Sequence, residues 1–214
     1  DAFHSRVDDR LKSNIGYWQG EFWGKWMLSA IAAQRYTGNQ QLKKLLKESV
    51  DDLLSTQDSS GYIGTYYHSD FVGKHTWNIW CRKYTLWGLV EAYELLQKPY
   101  IIQAASRFMD HLMTQVGPRH TDIIKTGAYA GIASSSILTP VMKLYRYTGN
   151  ERNLEYAPYI VNQWSKYPDS PPNIVQKGLT GEPPYTWLPE SGYWTKAYEF
   201  ISCLEGLLEL YRVE

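Results

Sequence analysis

The five residues Arg35-Tyr36-Thr37-Gly38-Asn39 recur unchanged as Arg146-Tyr147-Thr148-Gly149-Asn150. Repetition of this kind marks a chain built from stacked supersecondary units. Upstream of the first copy lies the apolar run Trp26-Met27-Leu28-Ser29-Ala30-Ile31-Ala32-Ala33. Downstream, Leu42, Leu45, Leu46, Val50, Leu53 and Leu54 recur at close to helical spacing. Glycine suits the left-handed position that ends a helix, and asparagine begins the next turn. Thr-Gly-Asn is therefore read as the hairpin turn between two antiparallel helices.

A degenerate copy sits at residues 93–100, where Pro99 starts the following helix. A fourth begins at Leu210-Tyr211-Arg212-Val213, matching Leu144-Tyr145-Arg146-Tyr147. The turns fall near residues 38, 97, 149 and 214, roughly 50–65 residues per hairpin. Helices are expected over about 3–15, 21–37, 40–56, 77–97, 99–116, 127–148, 151–166 and 194–213. Gly61-Tyr62-Ile63-Gly64-Thr65-Tyr66-Tyr67 reads as an extended piece inside a loop.

The connections decide between an open solenoid and a closed ring. Residues 57–76 and 167–193 are long and rich in Gly, Pro and aromatics. They alternate with the tight turns, which leaves one end of the array compact and the other loop-bearing. The expected fold class is all-α: an α/α toroid of helical hairpins, (α/α)6-barrel type, truncated at about four hairpins. A six-hairpin ring needs roughly 330 residues, so residues 1–214 are expected to be an incomplete domain.

Composition narrows the function classes. Lys+Arg and Asp+Glu are both 22, so no basic surface argues for nucleic acid. No apolar run approaches the ~18 residues of a membrane span. Nine Trp and 18 Tyr outnumber five Phe. Such rings carry a flat apolar face and a polar handle, which suits either a core or a cavity for a hydroxylated ligand. Cys81 and Cys203 are too few for a disulfide framework or a complete zinc site. The five His show no zinc-ligand spacing and receive no role.

Four stretches carry candidate chemistry. In Lys177–Glu190, Glu182 is framed by Gly and Pro among aromatics. A carboxyl beside apolar rings has a raised pKa and suits a general acid, whereas a solvated loop glutamate does not. Glu190 fills the same role or caps the next helix. In Trp194–Cys203, Glu199, Ser202, Cys203 and Gly206 share one side of a helix, and Tyr198, Ile201, Glu205 and Leu208 another. Glu199 plus Cys203 is half of a zinc set, or Cys203 is small core filler. In Trp77–Trp87, Arg82 and Lys83 point in different directions, so at most one is expected to face a core or a site. Tyr17–Trp26 places Trp18, Trp23 and Trp26 close together, more than one core face needs.

Taken in order, several segments resemble glycoside hydrolase family 127, the β-L-arabinofuranosidase family. These are Trp23-Gly24-Lys25-Trp26 followed by Tyr-Thr-Gly-Asn, Gln57 with Gly61-Tyr62, and Tyr84 with Leu89-Val90-Glu91-Ala92. Leu144–Asn150 and the Gly-Glu, Leu-Pro and Tyr-Glu series at 181–199 complete the set. The resemblance implies an (α/α)6 barrel followed by a β-sandwich domain. It also implies secreted or periplasmic bacterial enzymes that trim plant polysaccharides.

In that family a glutamate of a Gly-Glu loop is the acid/base, and Glu182 matches it. A later glutamate in a Tyr-x-Glu-Thr-Cys segment binds zinc, and Glu199 matches it. Ile201 stands where the zinc cysteine is expected, with Cys203 displaced by two. The His-Glu-x-Tyr segment of the pocket reads Cys81-Arg82-Lys83-Tyr84. The cysteine nucleophile is expected beyond residue 214. The zinc–cysteine mechanism is therefore not carried over intact.

The expectation is a glycoside hydrolase acting on a plant-type glycan. Glu182 and Glu199 are the catalytic carboxylates, and Trp23, Tyr62, Arg82, Tyr84 and Trp187 the sugar contacts. No cofactor is assigned; zinc enters only through the resemblance. The partners are the carbohydrate and the remainder of the toroid. Two rivals stay open. One is an unsaturated glucuronyl hydrolase or polysaccharide lyase, which would demand Arg82 or Lys83 in the cleft. The other is a non-catalytic glycan-binding toroid.

Overall fold

The computed structural model describes residues 2–8, 17–166, 172–186 and 197–213. Ten α-helices appear among them: α1 (His4–Val7), α2 (Gly20–Thr37), α3 (Gln40–Leu54), α4 (Asn78–Leu96), α5 (Pro99–Met113), α6 (Ile132–Ser135), α7 (Leu138–Thr148), α8 (Glu151–Gln163), α9 (Ile174–Leu179) and α10 (Ala197–Tyr211). No strand forms among the described residues; Lys74–Gly127 and Val116–Thr121 are isolated bridges. The fold is all-α, of the α/α-toroid class.

The repeated pentapeptide closes its turns by one mechanism. Gly38 and Gly149 adopt φ 66° and 61°, and their N–H groups donate to the Gln34 and Tyr145 carbonyls. The side chains of Asn39 and Asn150 then accept from the N–H groups of Leu42 and Arg152. Each turn thus satisfies one acceptor at the end of the first helix and one orphan donor at the start of the next. In the degenerate copy Gln97 takes the left-handed position at φ 53° and Pro99 opens α5.

The chain divides into two compact units. The first comprises Asp1–Phe71 and Cys81–Thr114, the second Val72–Trp80 and Gln115–Glu214. In the first, α2 buries Met27, Ala30 and Ile31, and α3 buries Leu46, Val50 and Leu53. α2 also approaches α4 closely. A Cβ on Gly24 would land on the backbone carbonyl of Tyr84, and one on Gly88 would meet the ring of Trp23. Only a residue without a side chain lets the two backbones come so near.

In the second unit α7 packs against α8 and α10. The expected 127–148 helix is instead two pieces. Pro140 has no N–H to donate to the Ser136 carbonyl, so the helical ladder is interrupted between α6 and α7. Two other expectations are revised. The 167–193 connection carries α9 and a 3-10 turn at Pro184–Thr186. The first helix is described only as His4–Val7.

Candidate active site

The first unit holds four of the expected sugar contacts, and three of them are interior. Tyr62 is 1% exposed, and its ring lies between two guanidinium groups, Arg82 at 4.6 Å and Arg6 at 4.9 Å. Arg6 is fixed by Asp58 at 3.2 Å, by the Gly64 carbonyl at 3.0 Å and by the Thr56 carbonyl. Arg82 is 1% exposed and donates to the Ser69 carbonyl. Each cation trades water for an aromatic face and a backbone acceptor. The Gly61–Tyr66 stretch is thus buried filling, and Ile63 and Thr65 lie beneath the surface with it.

Lys83 is also interior, at 0% exposed, with Nζ 4.7 Å from the Tyr84 ring and 5.8 Å from Trp87. The expectation that only one of Arg82 and Lys83 faces inward is corrected. Most of α4 from Asn78 to Val90 is buried, so neighbouring residues pointing apart both find interior. Tyr84 is buried as well, stacked on Trp87 and faced by Lys25 at 4.9 Å. Trp23 is half-buried and donates from its indole to Ser49 Oγ at 3.0 Å. With Phe22, Gln19 and Asp52 it lines an open hollow of about 310 Å³. Tyr62, Arg82 and Tyr84 are thus buried in the first unit, each packed against charged or aromatic neighbours.

The second unit gathers a different set. Glu199 lies in the first turn of α10 and is 4% exposed, on the buried side with Ser202, Cys203 and Gly206. This is the face division read from the sequence. Beside it, Tyr198 meets Trp80 edge-on at 5.4 Å. Trp80 meets Trp77 at 5.9 Å, and Trp77 meets Tyr129 at 6.3 Å. Tyr129, Ala130 and Gly131 adopt φ of 56°, 51° and 78°, and His75 adopts 67°. Such non-glycine conformations cost of order 1–3 kcal/mol each and cluster where function requires them. The two segments of this loop are tied by His75 N–H to the Gly127 carbonyl at 2.9 Å and Gly127 N–H to the Gly73 carbonyl at 3.0 Å. The helix expected over 127–148 would hold Tyr129; the loop found there has its signal in Gly127 and Gly131 bracketing an aromatic.

Glu182 follows α9 on the same unit. Its backbone N–H donates to the Lys177 carbonyl at 3.0 Å. Its carboxylate accepts from the Thr186 hydroxyl at 3.0 Å and lies 3.9 Å from Lys177 Nζ. The side chain is 39% exposed. Of the two surroundings read from the sequence, apolar rings or solvent, the described contacts are a hydroxyl and an ammonium. Trp187 and Glu190 lie outside the described residues.

The zinc set implied by resemblance does not assemble from these residues. Cys203 is fully buried and its thiol donates to the Ile132 carbonyl at 3.2 Å, the behaviour of core filler. Among the described residues no three His, Cys, Asp or Glu side chains converge as metal ligands. A structural zinc site requires about four such donors.

Comparison with known proteins agrees with this architecture. The family described as β-L-arabinofuranosidase, GH127 catalytic domain, matches residues 7–181. The GH127 β-arabinofuranosidase BT3674 superposes with TM-score 0.69 at 14% identity, covering 99% of this chain and 34% of that one. Ara127N-Se, a GH127 β-L-arabinofuranosidase from Geobacillus stearothermophilus T6, gives TM-score 0.58 at 20% identity, covering 80% of this chain and 27% of that one. The chain therefore spans about a third or less of each enzyme's length. No curated protein matches the sequence. With most of its length matched, the chain belongs to the β-L-arabinofuranosidase GH127 catalytic-domain family.

Proposed function

We propose that this chain is part of a glycoside hydrolase that removes arabinofuranose-type residues from plant-type glycans. Its reacting end lies in the second unit. Glu199 carries the reading: a carboxyl group 4% exposed, at the first turn of α10, next in sequence to a ring of the Trp80 cluster. A carboxyl so enclosed suits proton transfer or stabilisation of a cationic sugar. Glu182 is assigned the acid/base role on its match to the Gly-Glu loop glutamate of the family, with Thr186 and Lys177 beside its carboxylate.

The remaining hairpins and a β-sandwich domain belong to this proposal as parts outside these residues. So does a secreted or periplasmic bacterial setting, where plant polysaccharide is met. No helix among the described residues is long and apolar enough to cross a membrane. The lyase alternative loses support, because Arg82 and Lys83 are interior and each is engaged by aromatic rings. The non-catalytic alternative draws on the solvated surroundings of Glu182.

The test is turnover of a p-nitrophenyl arabinofuranoside by the full-length protein and by Glu182→Gln and Glu199→Gln. Loss of about 100-fold or more in kcat is expected for each, the scale of a positioned acid or base. Unchanged kcat in Glu182→Gln removes it as the acid. Sugar binding without turnover by the unmutated protein favours the non-catalytic alternative.

A further inference from the structure

We infer that the hollow beside Trp23 is a binding site for one neutral saccharide ring. It shares no residue with Glu182 and Glu199 and stands without the hydrolase reading above. The hollow, about 310 Å³ and open to solvent, is lined within the first unit by Phe3, Gln19, Phe22, Trp23, Asp52 and Leu53. Its walls come from the residue before α1, from the start of α2 with the turn ahead of it, and from the end of α3. Phe3 and Leu53 are 7% and 2% exposed, so the hollow reaches down to buried apolar side chains. Phe22 and Asp52 are exposed and form its outer part.

The chemistry of the lining selects the ligand. Small-molecule pockets are mostly apolar, carry a few placed polar groups and span roughly 300–1,000 Å³. This hollow lies at the low end, with room for one ring. Among the described residues no Lys or Arg lines it, so a uronate or a phosphate finds no counter-charge. The Asp52 carboxylate only accepts hydrogen bonds, whereas the Gln19 carboxamide both donates and accepts. Hydroxyl groups match that pair, because they do both. A quaternary ammonium would use the rings and the carboxylate but offers nothing to a carboxamide. A purely apolar ligand would take water from both polar groups and return no hydrogen bond. A sugar meets every requirement, with polarised C–H groups against aromatic carbon and hydroxyls toward Gln19 and Asp52. Asp52 also meets His4 at 3.0 Å, but a carboxylate has about four acceptor sites, so that contact does not exhaust it.

The walls are fixed before ligand arrives. The Trp23 indole donates to Ser49 Oγ at 3.0 Å, and its six-membered ring packs so closely on Gly88 that a Cβ there would lie 2.6 Å away. Arg6 anchors α1 by donating to the Gly64 carbonyl at 3.0 Å and to the Thr56 carbonyl. The His4–Asp52 contact ties α1 to α3. The Thr65 hydroxyl donates to the Tyr17 carbonyl and so holds the turn that carries Gln19. Trp18 meets Phe22 edge-on at 5.3 Å. A preformed site loses less conformational freedom on binding, which separates this hollow from an incidental surface dent.

The experiment uses the full-length protein labelled with 5-fluorotryptophan, with the Trp23 fluorine signal identified by its loss in Trp23→Phe. The probes are L-arabinose, D-xylose and D-galactose, with tetramethylammonium and glucuronate as charged counterparts. At least one neutral sugar is expected to shift the Trp23 signal saturably, and the two charged probes to leave it in place. Gln19→Ala and Phe22→Ala are each expected to raise the Kd of that sugar about five- to tenfold, the worth of one hydrogen bond or one ring contact. No saturable shift with any of the three sugars overturns the site. So does an equal Kd in the unmutated protein, Gln19→Ala and Phe22→Ala. A shift with tetramethylammonium and none with the sugars overturns the saccharide assignment in favour of a cation. Sugar binding at Trp23 in a protein that hydrolyses no arabinofuranoside supports the site and overturns the hydrolase reading alone. If Phe22→Ala fails to fold, Gln19→Ala decides, since it removes a carboxamide and no ring.

Discussion

Arg146 Nη1 lies 3.2 Å from Glu209 Oε2, joining the end of α7 to the end of α10 in the second unit. The first unit repeats the arrangement. Arg35, the equivalent residue of the other pentapeptide, pairs with Glu91 at 3.3 Å and Glu94 at 3.1 Å on α4. The arginine of the turn signature is thus a clip from one hairpin to the first helix of the next. Glu209 is buried and also holds Arg212 at 2.6 Å.

Removing the clip should therefore cost stability while the remaining arginine cushions the loss. Arg146→Ala is expected to lower unfolding free energy by about 1.5–3 kcal/mol, the range for a hydrogen bond to a charged group. Arg146→Ala with Arg212→Ala should cost more than the two singles combined, because Glu209 would then be a buried charge with neither arginine. Urea unfolding of the four proteins measures this coupling.

Gly24→Ala is expected to destabilise by about 2–4 kcal/mol, more than its helix propensity would gain. The added methyl would occupy the Tyr84 carbonyl, and backbone cannot step aside as a flexible side chain can. Gly38→Ala meets no neighbour, but its φ of 66° makes it costly by about 1–2 kcal/mol. A shift in thermal midpoint larger for Gly24→Ala than for Gly38→Ala is the expected order.

His111 gives the fold an acid-sensitive point. Burial first, then the nearby Arg82 guanidinium, pushes its pKa down from 6.5 to about 4, against the pull of Asp58. Its ring lies 5.4 Å from Tyr62, and Nδ1 is buried without a hydrogen-bond partner. A folded pKa below the unfolded one means the unfolded chain binds the proton more readily. The stability tied to the neutral ring is present above about pH 6.5 and is lost as pH falls toward 4. The fall between the two values corresponds to roughly 3 kcal/mol at full protonation. His111→Phe, which retains a ring, should flatten the decline in urea midpoint between pH 7 and pH 4.5.

Neither cysteine should react in the native protein. Burial, with Glu21 nearby, pushes the Cys81 thiol up to about 12, and its Sγ lies 3.4 Å from the Trp18 carbonyl. Cys203 is equally enclosed. Labelling by a thiol-specific disulfide reagent at pH 8 should proceed only at the rate of unfolding. Fast native labelling of one thiol would contradict the burial of that site.

The outer face of α10 should drive association of this 214-residue chain. Tyr198, Ile201, Leu204, Leu208 and Tyr211 are all exposed along it. A stripe of large apolar side chains on one helix exceeds the scattered exposure of a monomer surface. Sedimentation is expected to show oligomers at micromolar concentration, and Ile201→Lys with Leu208→Lys to shift them toward monomer.

Much of the scaffold was legible without coordinates. Thr-Gly-Asn encodes its own turn, since Gly38 and Asn39 act on the backbone within a few residues. The two faces of α10 followed from helical spacing alone, with Glu199 and Cys203 inward and Tyr198 and Ile201 outward. Local periodicity and capping chemistry are properties of a short stretch of chain, so a sequence carries them whole. Which faces meet was decided elsewhere. Arg82 and Lys83 both turn inward because α4 is surrounded, and Tyr62 sits between Arg6 and Arg82, groups far apart along the chain. The left-handed Tyr129 likewise depends on the loop tied through Gly127 to Gly73 and His75. Those choices rest on long-range burial and on which charge finds which ring, and only the tertiary structure sets them.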